Sequence, residues 1–478
     1  MSEPATVTLT RTGYTGAVTL NVTGLPAGVT ADPLTIGEGA DSGTLVLRST
    51  SAAVLGSSAM ATVTGEGGGS MQSAMVQIYV RGPHGALDTT FNTTGKVVVP
   101  LGASTVNDGA YGVAVMQNGT IVVVGGGTSN QVNFAAAIAL TPAGALDTTM
   151  FTGGKHIGAY TAGSSTSDLF YAAAVQPDGK VVAGGYAGVL GQSHFFLVAR
   201  FTTLGVLDTT FGTGSSGYNI TDFDPGLGDD AKAYALTIKP DGSILLGGFY
   251  YGTAGYATTA RYTSAGALVG RLPNPPGGYQ AALGARSDGS VLAIGPVGAA
   301  IGIARYTAND TLDASFGAGT GATTAVLRNA GSDVPASVMV LPDNKFYVGA
   351  STKNGANYEA AVARFTEAGT LDTTFGGTGY VTTPTNSPNY DKLSAAALAP
   401  DGSVILAYTL AGATNDFAWV RVRSDGTIDP VTNVVTTDFG SGSDIARAVA
   451  VQPDGRIVVA GTATANGRSN FGVARYWP

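Results

Sequence analysis

The sequence predicts an all-β protein, and three observations lead to this fold class. Glycine is abundant at 71 residues, whereas only 12% of the 478 residues are charged. This composition favours short strands and tight turns. No stretch has the periodicity of an amphipathic helix. A tight turn followed by an apolar run recurs seven times after position 87, which predicts an array of β-units behind a smaller N-terminal region.

The recurring turn reads Pro-Asp-Gly in four of its copies. Its Asn-Gly and Asp-Gly pairs supply positive φ angles, which predict a two-residue hairpin turn between antiparallel strands. A third strand with a basic residue among apolar ones follows, and then a Leu-Asp-Thr-Thr-Phe motif leads to a fourth short strand. Four-stranded units repeated around an axis predict a β-propeller, here with seven blades. The third turn positions are Gly119, Gly179, Gly242, Gly289, Asn344, Gly402 and Gly455.

One blade of the array is split in the sequence, with one part before the first module and the other at the end of the chain. The last module ends after its third strand, and an orphan motif at 87–91 stands before the first module. We therefore predict a propeller over residues 83–478, closed by pairing of strand 96–101 with 470–476. Such closure leaves no exposed edge strand.

Residues 1–82 lack the module and read as short alternating strands. This pattern is typical of an immunoglobulin-like β-sandwich. Only five or six strands can be counted, so we expect a fragment of a longer chain. The Gly-Leu-Pro-Ala-Gly-Val segment at 24–29 resembles the bacterial immunoglobulin-like repeats of surface and secreted proteins.

An arginine of the third strand and the aspartate of the next motif are eight residues apart in four modules. We predict a charge-assisted bridge in each, and closure adds a fifth between the chain ends. Arg261 has Val269 at the matching position and is expected to be unpartnered. Recurrence indicates a structural role for the arginines. The predicted pairs are Arg200/Asp208, Arg305/Asp313, Arg364/Asp372, Arg421/Asp429 and Arg475/Asp88.

These motifs together resemble the delta-60 repeat of bacteria. The resemblance is strongest at 175–180 and 451–456, where the sequence has the Gln-Pro-Asp-Gly turn. It covers roughly four fifths of the chain. The resemblance implies a β-propeller scaffold in a secreted or surface-attached bacterial protein, and it implies no activity.

Charge and hydropathy exclude two classes of partner. The net charge is −8, the sequence pI is about 4.8, and no basic run is present, so nucleic-acid binding is disfavoured. No apolar run reaches the length of about 20 residues that spans a bilayer. The first residues are not a signal peptide. We expect an extracellular or cell-surface location, with the signal absent from this sequence.

Recurrent aspartates are the first candidate site. One stands eleven residues before the end of the turn in five modules, where it would ring a mouth of the propeller channel. The functional interpretation is a cation site, such as calcium, and the favoured one is a set of Asx-type turns. The five are Asp108, Asp168, Asp333, Asp391 and Asp444, and the best local calcium cluster is Asp222, Asp224, Asp229 and Asp230.

Aromatic residues of the third module are the second candidate site. Phe249, Tyr250, Tyr251 and Tyr256 could stack on sugar rings, although packing between blades is the favoured interpretation. We predict no catalytic residue. The chain has three histidines without metal-ligand spacing, and His194 is assigned to a strand edge.

The sequence thus favours a non-enzymatic, extracytoplasmic binding or structural module with a glycan, matrix or protein partner. A glycan hydrolase or lyase with its site at a channel mouth is the alternative, since paired carboxylates are assembled only in space. A calcium-stabilised surface spacer is the third hypothesis. A propeller hosts many functions, so the fold alone does not choose among them.

Overall fold

The computed structural model describes residues 2–102, 106–129, 132–161, 166–189, 192–224, 230–251, 256–273, 282–328, 332–355, 357–383, 392–440 and 442–478. The chain divides into two compact units, Met1–Thr90 with Trp477, and Phe91–Tyr476 with Pro478. Within the described ranges both consist of strands, with one 3-10 turn at Thr213–Ser215. No helix there is long and apolar enough to span a membrane.

The first unit contains two antiparallel sheets. The strand orders are β1-β5-β3 and β4-β2-β6-β7. Its buried apolar side chains include Leu20, Ile36, Leu45 and Ala61. The strands are β1 Ser2–Thr8, β2 Val18–Thr23, β3 Val29–Ala31, β4 Leu34–Ile36, β5 Ser42–Ser49, β6 Ser58–Gly67 and β7 Ser70–Tyr79.

The second unit contains seven four-stranded antiparallel sheets among the described residues. Its strands begin with β8 Lys96–Val99, β9 Val106–Val115, β10 Ile121–Ser129, β11 Val132–Leu140, β12 Lys155–Gly158, β13 Leu169–Val175, β14 Val181–Gly188, β15 His194–Phe201, β16 Tyr218–Thr221, β17 Asp230–Ile238, β18 Ile244–Tyr251, β19 Tyr256–Tyr262 and β20 Leu268–Arg271. They continue with β21 Ala282–Ala285, β22 Val291–Val297, β23 Ala300–Tyr306, β24 Ala322–Ala325, β25 Val334–Val340, β26 Phe346–Asn354, β27 Asn357–Phe365, β28 Tyr380–Thr382, β29 Leu393–Leu398, β30 Val404–Leu410, β31 Asp416–Val422, β32 Val435–Thr437, β33 Ile445–Val451, β34 Ile457–Ala465 and β35 Arg468–Tyr476.

Six of these sheets are built from four consecutive strands, and the seventh is not. Its order is β33-β34-β35-β8, so a strand from near the start of the unit completes the sheet at its end. Val97 lies opposite Val473, and Val99 lies opposite Phe471. This is the strand pairing that the divided repeat predicts.

Buried side chains between adjacent sheets form the core. One cluster joins Val458 and Val473 of the last sheet to Ile121 and Val123 of the first. Apolar contacts therefore pack the first sheet against the last. The last sheet is also connected to the start of the unit because it contains β8. Because each sheet buries both of its faces, the strands read as apolar runs in the sequence.

The hairpin in each sheet has a three-residue loop, so the prediction of a two-residue turn was wrong. In the first sheet, Met116 N donates to Thr120 O and Gly119 N donates to Met116 O, both over 2.9 Å. Gly119 has φ 83°, and Asn344, which replaces glycine in the fifth sheet, has φ 68°. This geometry is a type I turn followed by one left-handed residue. The side chain of the middle residue fixes it, since Asn118 Oδ1 accepts a bond from Thr120 N over 3.0 Å.

Candidate ligand-binding channel

The first strands of all seven sheets surround one cavity of about 540 Å³. Its wall contains Tyr111, Tyr171, Tyr234 and Arg447 on one side and small residues such as Ala336 on the other. Among the described residues that line it, none is acidic. The cavity is therefore asymmetric, with aromatic and cationic groups on one side.

These side chains project from β-bulges in the innermost strands. The register shifts between Phe170 and Ala172, and it shifts in the same way around Tyr234 and Arg447. A bulge inserts one residue that has no partner on the neighbouring strand, and it redirects that side chain. The bulge thus repeats in the sheets, while the residue that it presents varies.

Glycine on the second strand makes room for each of these bulges. A Cβ atom at Gly125, Gly185, Gly248 or Gly461 would lie 1.9–2.0 Å from a carbonyl oxygen of the bulged strand. No side chain fits at that distance in these four sheets, so glycine is required at these four positions. The glycine pairs in these strands consequently have a structural cause.

The aromatic wall is a continuous chain of ring contacts. The rings of Tyr111 and Tyr171 meet edge to face with centroids 5.0 Å apart, and those of Tyr171 and Tyr234 meet at 4.9 Å. Edge-to-face pairs at this spacing are favourable and hold ring orientation. Burial, followed by the neighbouring tyrosines, raises the pKa of Tyr171 well above its ordinary value, so its hydroxyl is neutral at physiological pH.

Arg447 ends this aromatic chain. Its guanidinium carbon lies 4.6 Å from the centroid of the Tyr111 ring, a cation–π contact that fixes the side chain over the wall. Within the described part of the chain, its buried Nε atom has no hydrogen-bond partner. A buried donor without an acceptor is costly, so this guanidinium is suited to receive an anionic group.

Four of the five recurring aspartates are described, and they are almost fully buried. Asp108, Asp168, Asp333 and Asp444 are at most 1% exposed, and none lines the cavity. Each accepts a backbone N–H bond, for example Asp168 Oδ2 from Tyr160 N over 2.7 Å. They therefore tie each inner strand to the chain that enters it, instead of presenting charge to the channel. Asp391 lies outside the described residues.

The predicted aromatic platform is divided by its own strand. Tyr250 is 5% exposed and packs in the core, whereas Tyr251 is 63% exposed. Successive side chains of a strand point to opposite faces, so the two rings cannot form one surface. The Phe249 ring lies 5.6 Å from that of Tyr251, and Tyr256 begins β19. The strand thus leaves the half-buried Phe249 and the exposed Tyr251 as the remainder of this site.

The predicted calcium cluster is not assembled from its described members. Asp222 Oδ1 accepts a bond from Asp224 N, and Asp224 accepts one from the Tyr250 hydroxyl. Asp230 pairs with His194. Asp229 lies outside the described residues.

A different group of carboxylates does converge. Asp416, Asp438 and Asp444 each place one oxygen within 4.8 Å of the others. Burial raises the pKa of Asp416, and the charges of Asp438 and Asp444 raise it further. Burial likewise raises the pKa of Asp444. Three hard oxygen ligands at this spacing are the donor set that calcium prefers.

The recurring arginines connect neighbouring sheets, a role that the sequence did not reveal. Arg305 donates from Nε to Asp313 over 2.7 Å and from Nη1 to Glu367 O of the next sheet over 2.9 Å. Its guanidinium also lies over the Phe316 ring at 4.8 Å. We call the boundary between two adjacent sheets a seam. The same bond across a seam joins Arg200 to Ser264 O, Arg364 to Ser424 O and Arg475 to Pro142 O.

Two more of the eight-residue pairs follow the same pattern, and the pair of Arg421 with Asp429 deviates. Arg200 Nε and Arg364 Nε each donate to the predicted aspartate, Asp208 or Asp372, over 2.9 Å. Burial alone would raise the pKa of Asp208, but bonds from Thr210 and Lys180 and the charge of Arg200 hold it well below its usual range.

Arg421 bonds elsewhere, because its guanidinium reaches the hairpin turn of its own sheet. It donates to Ser403 Oγ over 2.8 Å and to Asp401 over 2.5 Å, and Arg423 lies 3.5 Å from Asp429. The expectation that Arg261 lacks a partner was wrong, since Asp310 of the next sheet pairs with it. The pairing of Arg475 with Asp88 stays a prediction.

The channel residues escaped prediction because they do not form a motif. Tyr111, Tyr171, Tyr234 and Arg447 occupy one module position, eight residues before the third position of the turn. Aligning the modules on the turn would have shown that this position varies while its surroundings recur. Variation at a fixed position of a constant scaffold is the signal that points to a site.

A comparison with protein families matches parts of the second unit. Four segments, 176–211, 286–316, 341–375 and 452–478, match a family model described as a domain of unknown function (DUF5122) beta-propeller. The second unit is thus a β-propeller domain. No curated protein matches the chain.

Solved structures similar to the chain come from proteins with different roles. The RRP9 WD40 repeats are 10% identical, with 80% of this chain and 100% of that chain covered and a TM-score of 0.46. The polysaccharide lyase Uly1 is 10% identical, with 77% and 89% covered and a TM-score of 0.43. A GH43 β1,3-galactosidase is 9% identical, with 50% and 55% covered and a TM-score of 0.31. None of these likenesses assigns an activity to this chain.

Proposed function

We propose that the seven sheets are the blades of one closed propeller and that residues 1–82 form an immunoglobulin-like domain. The pairing of β8 with β35 supports closure. The two antiparallel sheets of the first unit support the sandwich.

We further propose that the protein is an extracytoplasmic module that binds an anionic glycan in the propeller channel. The observation that carries this proposal is Arg447, whose Nε is buried without an acceptor beside an aromatic wall. Aromatic faces stack on the C–H faces of sugars, and arginine pairs with carboxylates through two parallel bonds. An acidic sugar, such as a uronate, offers both features in one residue.

The small residues opposite the aromatic wall complete the argument. Ala336 and Ser394 occupy the bulge position in the fifth and sixth sheets. They leave volume where the first three sheets place tyrosine, so a ring can enter and lie against Tyr171. Because the described lining has no carboxylate, the channel lacks the pair of acids that most glycoside hydrolases use. The geometry therefore favours binding over cleavage of the glycosidic bond.

Calorimetric titration of the full chain with uronate oligosaccharides tests the proposal, with neutral oligosaccharides of equal length for comparison. We expect Arg447→Gln to weaken binding of the acidic ligand about 10- to 100-fold, since a charged hydrogen bond contributes about 1.5–3 kcal/mol. Tyr171→Ala should weaken both ligand classes about 10-fold. Tyr251→Ala is the matched control, because its ring is 63% exposed and lies outside the channel wall.

Two outcomes would reject the channel as the site. One is acidic-glycan binding that Tyr251→Ala abolishes and Arg447→Gln leaves unchanged. The other is the absence of binding to any acidic glycan by the wild-type protein.

A cation-stabilised spacer is the second candidate, and Asp416, Asp438 and Asp444 favour it. Calcium would relieve the repulsion that raises the pKa of Asp416. Melting with calcium and with chelator tests this role, and Asp438→Asn should remove any difference. An equal midpoint in both conditions would eliminate it.

A further inference from the structure

Three polar side chains at the seam between the second and third sheets have the arrangement of a serine hydrolase triad. Ser167 precedes β13, His194 begins β15 and Asp230 begins β17. His194 Nε2 lies 3.0 Å from Ser167 Oγ, and His194 Nδ1 lies 2.5 Å from Asp230 Oδ1. Such triads are recognised by geometry and roles, because chain order differs among unrelated folds.

The hydrogen bonds orient the imidazole for general-base work. A carboxylate only accepts bonds, so Asp230 fixes the proton of His194 on Nδ1. Nε2 then carries the lone pair and accepts the proton of the Ser167 hydroxyl. This is the requirement for activating a serine nucleophile. Asp230 also accepts a bond from His194 N over 3.2 Å, which holds the base to its orienting group.

Tyr186 supplies a second neighbour of the nucleophile and a link to the channel. Its hydroxyl hydrogen-bonds Ser167, and burial raises its pKa to about 12, so it remains a donor near neutral pH. Its ring lies 4.8 Å from His194 and 5.9 Å from Tyr171 of the aromatic wall. Lys232 Nζ lies 5.2 Å from the same ring. The Tyr186 hydroxyl is therefore a hydrogen-bond donor beside the Ser167 hydroxyl.

We propose that Ser167, His194 and Asp230 catalyse hydrolysis of carboxylic esters, and that the natural ester is an O-acyl group of a glycan. The activity goes beyond glycan binding, and only the glycan part of the substrate rests on the proposed function. It also replaces the expectation that the chain carries no catalytic residue.

The reaction balances without a cofactor. The Ser167 oxygen bonds to the ester carbonyl carbon while its proton passes to His194 Nε2. The carbon–alkoxy bond then breaks, and His194 returns the proton to the leaving alcohol. Water repeats the sequence on the acyl-enzyme: its proton passes to His194, its oxygen bonds to the carbonyl carbon, and the acyl–Ser167 bond breaks as His194 reprotonates the serine. The products are a carboxylic acid and an alcohol.

The position of the triad determines which reagent tests it. The His194 and Asp230 side chains are 13% and 39% exposed, whereas Ser167 is 3% exposed. A small fluorophosphonate is the appropriate reagent for a sheltered serine, because it reacts only if that serine is activated. Mass spectrometry of the labelled full chain should place the adduct on the peptide containing Ser167, and p-nitrophenyl acetate should be turned over catalytically.

Variants separate catalysis from folding. Ser167→Ala should abolish labelling and lower kcat at least about 1,000-fold, and Asp230→Asn should lower it at least about 100-fold. Ser351→Ala is the matched control, since Ser351 is also buried but accepts a backbone bond from Leu393 N over 2.9 Å. The labelling and the melting points of the two variants are compared. If both variants melt alike and only Ser167→Ala fails to label, the loss is chemical and not a loss of folding. Ser167→Cys keeps a nucleophile of similar size if the alanine variant fails to fold.

Three results would overturn the triad: no adduct on Ser167 in the folded wild-type chain, no turnover above that of buffer, or equal turnover by Ser167→Ala. These results are independent of glycan binding, because neither the fluorophosphonate nor p-nitrophenyl acetate contains a sugar. Release of acetate from an O-acetylated uronate oligosaccharide then tests the substrate class. Loss of that release in Tyr171→Ala, with p-nitrophenyl acetate turnover kept, would connect the two sites.

Discussion

Removing one arginine that connects two sheets should destabilise the whole propeller. Arg305 is 6% exposed and makes three hydrogen bonds, to Asp313 over 2.7 Å, Glu367 O over 2.9 Å and Ser315 Oγ over 2.8 Å. Arg305→Ala leaves Asp313 without its cation and Glu367 O without a donor. Breaking a buried pair costs about 3–5 kcal/mol, and the 20% exposure of Asp313 brings our expectation to about 3 kcal/mol.

Calorimetry converts this free energy into a measurable shift. An unfolding entropy of about 2.1 cal/mol/K per residue over about 390 residues gives roughly 0.8 kcal/mol/K, so 3 kcal/mol lowers Tm by about 4 °C. Arg305→Lys keeps the charge but not the planar fork, and should lower Tm by about half as much. Arg423→Ala is the control, because Arg423 is 49% exposed and lies 3.5 Å from its carboxylate. Exposed pairs contribute about 0–1 kcal/mol, so a control shift equal to that of Arg305→Ala would refute the role assigned to the seam.

Two further predictions concern acid stability and closure. Burial lowers the pKa of His156 from 6.5 to about 4, so the unfolded chain takes up the proton at a higher pH than the folded chain does. The free energy of unfolding should therefore be full above pH 6.5 and fall by about 1–3 kcal/mol as the pH approaches 4. Urea titrations at several pH values measure this loss, and His156→Gln should flatten it; an unchanged pH profile would contradict a neutral His156. Val99→Asp buries a charge opposite Phe471 and should lower Tm by several degrees, whereas Val326→Asp, at a site that is 49% exposed, should change it by less than about 1 °C. Equal melting of the two variants would mean that β8 contributes little to the last sheet.

The fold was largely predictable because its signals are local and repeated. Each turn carries its own Asn or Asp side chain and left-handed residue, and the Leu-Asp-Thr-Thr-Phe motif or a relative of it marks most fourth strands. The divided repeat then placed β8 beside β35 without any long-range information. Loop length was mispredicted because Asp-Gly is compatible with both hairpin types, and only the paired strands decide between them.

The sites were much less predictable, since they depend on contacts between modules. The sequence placed Asp108 and its counterparts at the channel, but their carboxylates are taken up by backbone N–H groups. The sequence pattern grouped Tyr250 and Tyr251 in one site, although successive side chains of a strand point to opposite faces. It missed the triad because Ser167 precedes one strand, and His194 and Asp230 begin two others, in two different sheets. Spacing along a chain does not report such distances, and only the packing of the seam brings the three together.

The structure thus divides the module into constant and variable positions with different physical roles. The constant ones, the turn, the buried aspartate, the arginine and the motif phenylalanine, satisfy backbone groups and connect sheets, so changing any of them costs stability. The bulge position faces the cavity, which permits Tyr171, Ser394 and Arg447 at equivalent places. Exchanging Arg447 for the serine of the sixth sheet should therefore change ligand affinity with little change in Tm. Replacing Arg305 by alanine, which the first sheet has at this position, should lower Tm with little change in ligand affinity.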